Sequence, residues 1–180
     1  MKFSKWMAIL VVVTLTTTVS SSQEAPKPHP GGHIHKLGPP SKTLTVTIDG
    51  KTKQFTMAEL EAMPQENVTV FDKKANRDMV WSGPSLTTVL AASGMSFSPE
   101  TEHDIMHHYV MATGTDGYMA VFSAAELLEQ FSGISSIVAT KRDGQPLGSI
   151  GQFVLFNNQD KIPPRRISNL VTVDVRVAGH

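Results

Sequence analysis

Three Asp-Gly dipeptides, Asp49-Gly50, Asp116-Gly117 and Asp143-Gly144, constrain this chain more than any other feature, because each lies among short alternating or apolar runs. Asp-Gly tolerates the positive φ of a tight turn, so it joins antiparallel strands and fixes their register. Residues 43–48 alternate, with Leu44, Val46 and Ile48 on one face, and residues 51–55 form the return strand. Residues 107–113 are expected to pair with 118–122 across the second turn. Residues 137–140 and 152–156 read as strands around the third. Val68, Val70 and their neighbours make another strand, closed by the polar run 72–78, and residues 79–81 a brief one. Residues 171–177 alternate valine with Thr172, Asp174 and Arg176, the pattern of a half-exposed strand.

Short helices interrupt these strands. Thr56-Met57-Ala58-Glu59 is a capping box, in which hydroxyl and carboxylate each satisfy a free backbone amide; the helix runs to about Met63 before Pro64. Pro84 suits a first helical position, and Leu86, Val89 and Leu90 form a core-facing stripe that stops at Gly94. Ser123-Ala124-Ala125-Glu126 repeats the capping pattern ahead of Leu127, Leu128 and Phe131. Three short helices among short strands, with no internal repeat and no regular βαβ alternation, predict a mixed α+β domain with mostly antiparallel pairing.

The first residues set the expected compartment. Lys2 and Lys5 precede an apolar run over residues 7–15, and small residues follow at Val19-Ser20-Ser21-Ser22. This is the pattern of a secretory signal peptide over residues 1–22, and the run is shorter than the roughly 20 residues a membrane span needs. An exported protein, periplasmic or secreted and free of the membrane after signal cleavage, is the expectation. Residues 23–41 hold five prolines and three glycines and read as an extended tether. The folded domain is placed at 42–180. With residues 1–22 removed, 14 basic groups face 16 acidic ones, a balance that argues against nucleic acid as a partner. The absence of cysteine excludes disulfides, thiolate nucleophiles, iron–sulfur clusters and a lipoprotein anchor.

No local catalytic motif stands out: there is no Gly-x-Ser-x-Gly elbow, no phosphate-cradling glycine loop and no His-Glu-x-x-His. Two constellations remain. His29, His33 and His35 in the tether could wrap a Cu(II), Ni(II) or Zn(II) ion. His103, His107 and His108 form a second group, but neighbours on a strand face opposite ways, so His107 and His108 do not chelate together. Lys73, Lys74, Arg77, Lys141, Arg142, Lys161, Arg165 and Arg166 occupy loops, and loops that brought such groups together would cradle an anion.

Read in order, several segments resemble one family. Trp81-Ser82-Gly83-Pro84-Ser85-Leu86-Thr87-Thr88-Val89-Leu90 resembles the Trp-x-Gly-x-x-Leu-x-x-Leu-Leu segment of sulfite-oxidase-like molybdopterin-binding domains. Residues 117–123, followed by Ala125-Glu126-Leu127, are similar to that family's strand-to-helix step. Asp143-Gly144-Gln145-Pro146-Leu147 resembles its Asn/Asp-Gly-x-Pro-Leu turn, and Arg165-Arg166-Ile167-Ser168 through Val175 its closing strand. Together they span residues 42–177. The resemblance implies the sulfite-oxidase-type α+β fold and, by family habit, molybdopterin.

The same resemblance exposes departures. Where the family carries a cysteine for molybdenum, this chain has Val68-Thr69-Val70-Phe71-Asp72, with Asp72 at or beside that position. The family's His-Gly reads Ile150-Gly151, its arginine falls near Val154, and its closing-strand tryptophan is Arg166 beside the retained basic Arg165. The leader lacks the Arg-Arg pair with which proteins carrying this cofactor are usually exported. No cofactor and no catalytic residue are therefore expected. The expectation is an exported binding or scaffold domain without molybdenum ligation, taking a small anion or a partner protein through Asp72, Lys73, Arg77, Arg165 and Arg166. The alternatives are an oxidoreductase with a non-cysteine metal ligand, and envelope Cu or Zn binding through His29, His33 and His35.

Overall fold

The computed structural model describes residues 38–127, 136–157 and 165–179. The signal segment and the tether histidines His29, His33 and His35 lie outside the described residues, as do Leu128, Phe131 and Lys161. The first hairpin forms as its turn dictates: β1 (Thr43–Ile48) pairs antiparallel with β2 (Lys51–Thr56) around Asp49 and Gly50, both at positive φ. Thr56 then caps α1 (Met57–Glu61), its hydroxyl accepting from the Glu59 amide while the Glu59 carboxylate accepts from the Thr56 amide. The chain is already packed before β1: Ser41 is buried, and the Gly38 carbonyl accepts from Asn169 Nδ2 at 3.1 Å.

Strands β3 (Glu66–Asp72) and β4 (Arg77–Gly83) form an antiparallel pair that leads into α2 (Leu86–Ala92). Pro84 is not the first helical residue that the sequence suggested. Ser85 is the N-cap, its hydroxyl accepting from the Thr88 amide, and the Pro84 carbonyl accepts from Val138 N at 2.9 Å. A strand contact holds Pro84 outside the helix. A helix not anticipated, α3 (Glu102–Ile105), follows; its N-cap Thr101 makes no side-chain capping bond, so it left no local signature.

Strands β5 (His108–Gly114) and β6 (Met119–Ser123) pair across Asp116-Gly117 and lead into α4 (Ala124–Leu127). Asp143-Gly144 joins two very short strands, β8 (Lys141–Arg142) and β9 (Gln145–Pro146). The longer runs, β7 (Ser136–Ala139) and β10 (Val154–Asn157), do pair antiparallel, but through the further segment 147–153 and not directly across that turn. The final strand, β11 (Leu170–Val177), lies in the middle of the larger sheet, antiparallel to β5 and parallel to β1.

The larger sheet has the order β2-β1-β11-β5-β6, and a four-stranded sheet the order β3-β4-β8-β9. The β7–β10 pair continues the second sheet, because Val138 N donates to Pro84 O, Thr140 N to Ser82 O, and Ser85 bridges Ile137. The register of β4 slips by one residue between the Ser85–Ile137 bridge and the Trp81–Arg142 pair, a β-bulge at Thr140. Gly83 sits where the two runs come closest: a Cβ there would lie 2.8 Å from the Ala139 Cα and overlap the Val138 carbonyl. The main core lies between the sheets, where Leu44, Val46, Phe55, Val110, Phe122, Val173 and Val175 meet Leu60, Leu86, Leu90, Val138, Leu155 and Ile167. A second, smaller cluster lies on the other face of the second sheet, and the candidate site is built there.

Candidate functional site: an arginine-bearing sheet face

Alternation decides which side chains reach this face. In β7 and β10, Ile137, Ala139, Val154 and Phe156 turn toward it, while Val138 and Leu155 turn into the main core. In β3 and β4 the same rule brings Val68, Val70 and Trp81, and Leu147 and Ile150 pack in from the following segment. Trp81, only 3% exposed, stacks on Phe156 with ring centroids 4.8 Å apart and planes inclined by 13°. The result is a small apolar cluster centred on the stacked pair.

Two guanidinium groups sit against that indole. Arg142 is the cross-strand partner of Trp81, and its Cζ lies 5.5 Å from the ring centroid. Arg166 precedes Ile167, which bridges Leu155; Arg166 therefore falls beside Phe156, with its Cζ 5.6 Å from the Trp81 ring. Both are half-buried, and among the described residues neither has a hydrogen-bond or ion-pair partner. Cation–π contact with tryptophan offsets part of their lost hydration. Burial holds the Arg166 guanidinium below its usual pKa, the positive charge of Arg142 pushes the same way, and Asp72 opposes both.

Asp72 ends β3 on the face of Val68 and Val70. Its Oδ1 accepts from Lys74 N at 2.8 Å and Ala75 N at 2.9 Å, which closes an Asx-type turn. The Ala75 amide is the largest cause holding its carboxyl below the ordinary aspartate range; burial opposes it as the next largest effect, and the Lys74 amide, Arg142 and Arg166 add to the lowering. Arg77 is at the same end but already engaged: its Nη2 donates to Asp143 Oδ2 at 2.7 Å, and Asp143 Oδ1 accepts from Val80 N at 2.9 Å.

The five residues expected to act together therefore separate. Asp72 and Arg166 share the Trp81 face, and Arg77 borders it in its ion pair with Asp143. Lys73 is exposed in the β3–β4 turn. Arg165 points the other way, pairing with Glu126 at 2.8 Å and lying 5.1 Å over the Phe122 ring. Arg165 and Arg166 are neighbours in sequence, yet their contacts part them: Arg165 meets Glu126 and Phe122, and Arg166 meets Trp81. The residue that replaces Arg165 is Arg142, visible in the sequence as a basic group beside the Asp-Gly turn; its meeting with Trp81 depends on a bulged, non-local register. Of the second histidine group, His103 and His107 are exposed and His108 Nδ1 contacts the Asp104 carbonyl at 2.6 Å. Among the described residues no cluster of three His, Asp or Glu side chains is arranged to hold a metal ion.

Fold and site thus define an α+β domain of two stacked sheets carrying a cationic aromatic patch on its outer face. The structure is similar to that of the sulfane dehydrogenase SoxCD from Paracoccus pantotrophus, with a TM-score of 0.54 at 14% identity. The similarity covers 74% of this chain and 37% of that one, so this chain corresponds to little more than a third of the enzyme chain. The relation is one of fold. No family model matches the sequence, and no curated protein matches it.

Proposed function

We propose that this protein is an exported anion-binding domain on an oxidoreductase-type scaffold, and that it does not carry out molybdenum chemistry. The observation that carries the reading is the pair Arg142 and Arg166: two like charges, half-buried against one indole and without ion-pair partners among the described residues. Such a pair costs free energy in the free protein that a bound anion returns through charge-assisted hydrogen bonds.

The residues do not fit molybdopterin as the resembling family holds it. Molybdenum there takes a soft thiolate donor, and this chain has no cysteine. Asp72, at or beside that place, spends Oδ1 on two backbone amides, and apolar Ile150, where the family has histidine, packs against the Trp81 cluster.

Calorimetric titration of the purified protein with inorganic phosphate and with sulfate at low ionic strength tests the proposal. Replacing both arginines (Arg142→Gln, Arg166→Gln) should weaken binding by at least about tenfold, the loss of one charged hydrogen bond. Equal binding by the double variant, or near-stoichiometric molybdenum and pterin in protein from its native source, would overturn it.

A further inference from the structure

Resting on that reading, we infer that the anion received by Arg142 and Arg166 carries a proton, as a hydrogen phosphate group does and sulfate does not, and that Asp72 reads that proton. A carboxylate lies within electrostatic reach of the two arginines, where it would repel an anion that had no proton to donate. The Asx turn fixes how this carboxylate is used. Lys74 N and Ala75 N both donate to Oδ1, and Oδ2 accepts nothing among the described residues. Asp72 shares its face of β3 with Val68 and Val70, and the charges of Arg142 and Arg166 both act on it. The face therefore offers two guanidinium donors and one open acceptor oxygen.

That donor set discriminates between oxyanions of similar size. An ionised carboxylate can only accept, so a fully ionised sulfate brought against Oδ2 would place acceptor against acceptor, with charge repulsion. Phosphate keeps at least one proton at neutral pH and can donate it to Oδ2 in a short, charge-assisted bond while its other oxygens accept from the arginines. The cause that holds Asp72 ionised also keeps it an acceptor. The same chemistry serves free phosphate or a monoprotonated phosphate ester.

The test compares inorganic phosphate, methyl phosphate and sulfate by calorimetry at pH 7 on the wild type and on Asp72→Asn. Asparagine keeps an oxygen for the Lys74 and Ala75 amides, so the turn and fold survive, while its amide group donates where the carboxylate accepted. The wild type should bind phosphate at least about tenfold more tightly than sulfate. Asp72→Asn should abolish or reverse that preference. The comparison is repeated at about pH 5.5, where a phosphate ester with its second pKa at about 6 also keeps a proton. There, tighter binding of methyl phosphate than of phosphate points to an ester as the source, the opposite order to the free ion, and either supports the inference. At pH 7, where the ester is mostly proton-free, tighter binding of methyl phosphate than of phosphate overturns it. Equal wild-type affinities for phosphate and sulfate, or a preference that persists in Asp72→Asn, would overturn it while leaving the arginine site standing. Failure of every anion to bind would remove both readings.

Discussion

Asp143 serves three purposes in a single turn. Its backbone takes the left-handed conformation at φ 53°, its Oδ1 satisfies Val80 N, and its Oδ2 binds Arg77. The Arg77 hydrogen bond is the largest cause holding its carboxyl below the usual aspartate range, followed by the Val80 amide. A depressed folded pKa means that the unfolded chain takes up the proton first as pH falls. The contribution is thus fully present above the unfolded value of about 3.9 and is lost as pH drops through the folded one. Urea midpoints measured from pH 6 down to pH 2 should fall at the acid end, and Asp143→Asn should flatten that fall; an unchanged acid slope would show that the pair is not coupled to folding. The turn itself was legible, because Asp-Gly is a local signal. Its partner Arg77 was not, since only the pairing of β4 with β8 brings the two together. Arg165 and Arg166 make the same point. Their charge is plain in the sequence, but the side each takes is set by non-local contacts, the Leu155–Ile167 bridge for Arg166 and the Glu126 carboxylate for Arg165.

At the scale of elements, local chemistry predicted what it controls. The capping box at Thr56 and Glu59 is built as read, and it fixes the start of a helix too short to persist without tertiary support. Thr56→Ala should lower stability by about 1 kcal/mol, read as a shift in the urea midpoint with an unchanged m-value. Glu61 ends α1 and pairs with Lys141 at 3.0 Å, but both groups are well exposed and the pair adds little. No side chain caps α3, so the sequence carries no signal for it, and Pro84 stands outside α2 with its carbonyl engaged by the Val138 amide. In both cases the deciding interaction is non-local or simply leaves no residue-type signature. The α+β class and most strand positions were legible from periodicity; the order of the strands was not.

For the molecule as a whole, the governing feature is the position of β11. Between β1 and β5 it supplies both neighbours with backbone partners, and it buries Val173 and Val175 in the main core. A chain ending at Asn169 should therefore lose cooperative unfolding and the amide dispersion of its NMR spectrum, whereas a variant lacking only residues 178–180 should keep both. Retained cooperativity in the shorter chain would contradict the sheet order. The alternation of residues 171–177 announced a half-exposed strand, but nothing local announced that it is central, or that it runs parallel to the first strand. That placement has a consequence for biogenesis. Thr45 must wait for Thr172, so the first hairpin leaves the ribosome long before its neighbour exists, and the sheet closes only once β11 has followed it. The nascent chain is kept open by its own topology, giving holding factors the whole interval between the two strands in which to engage it.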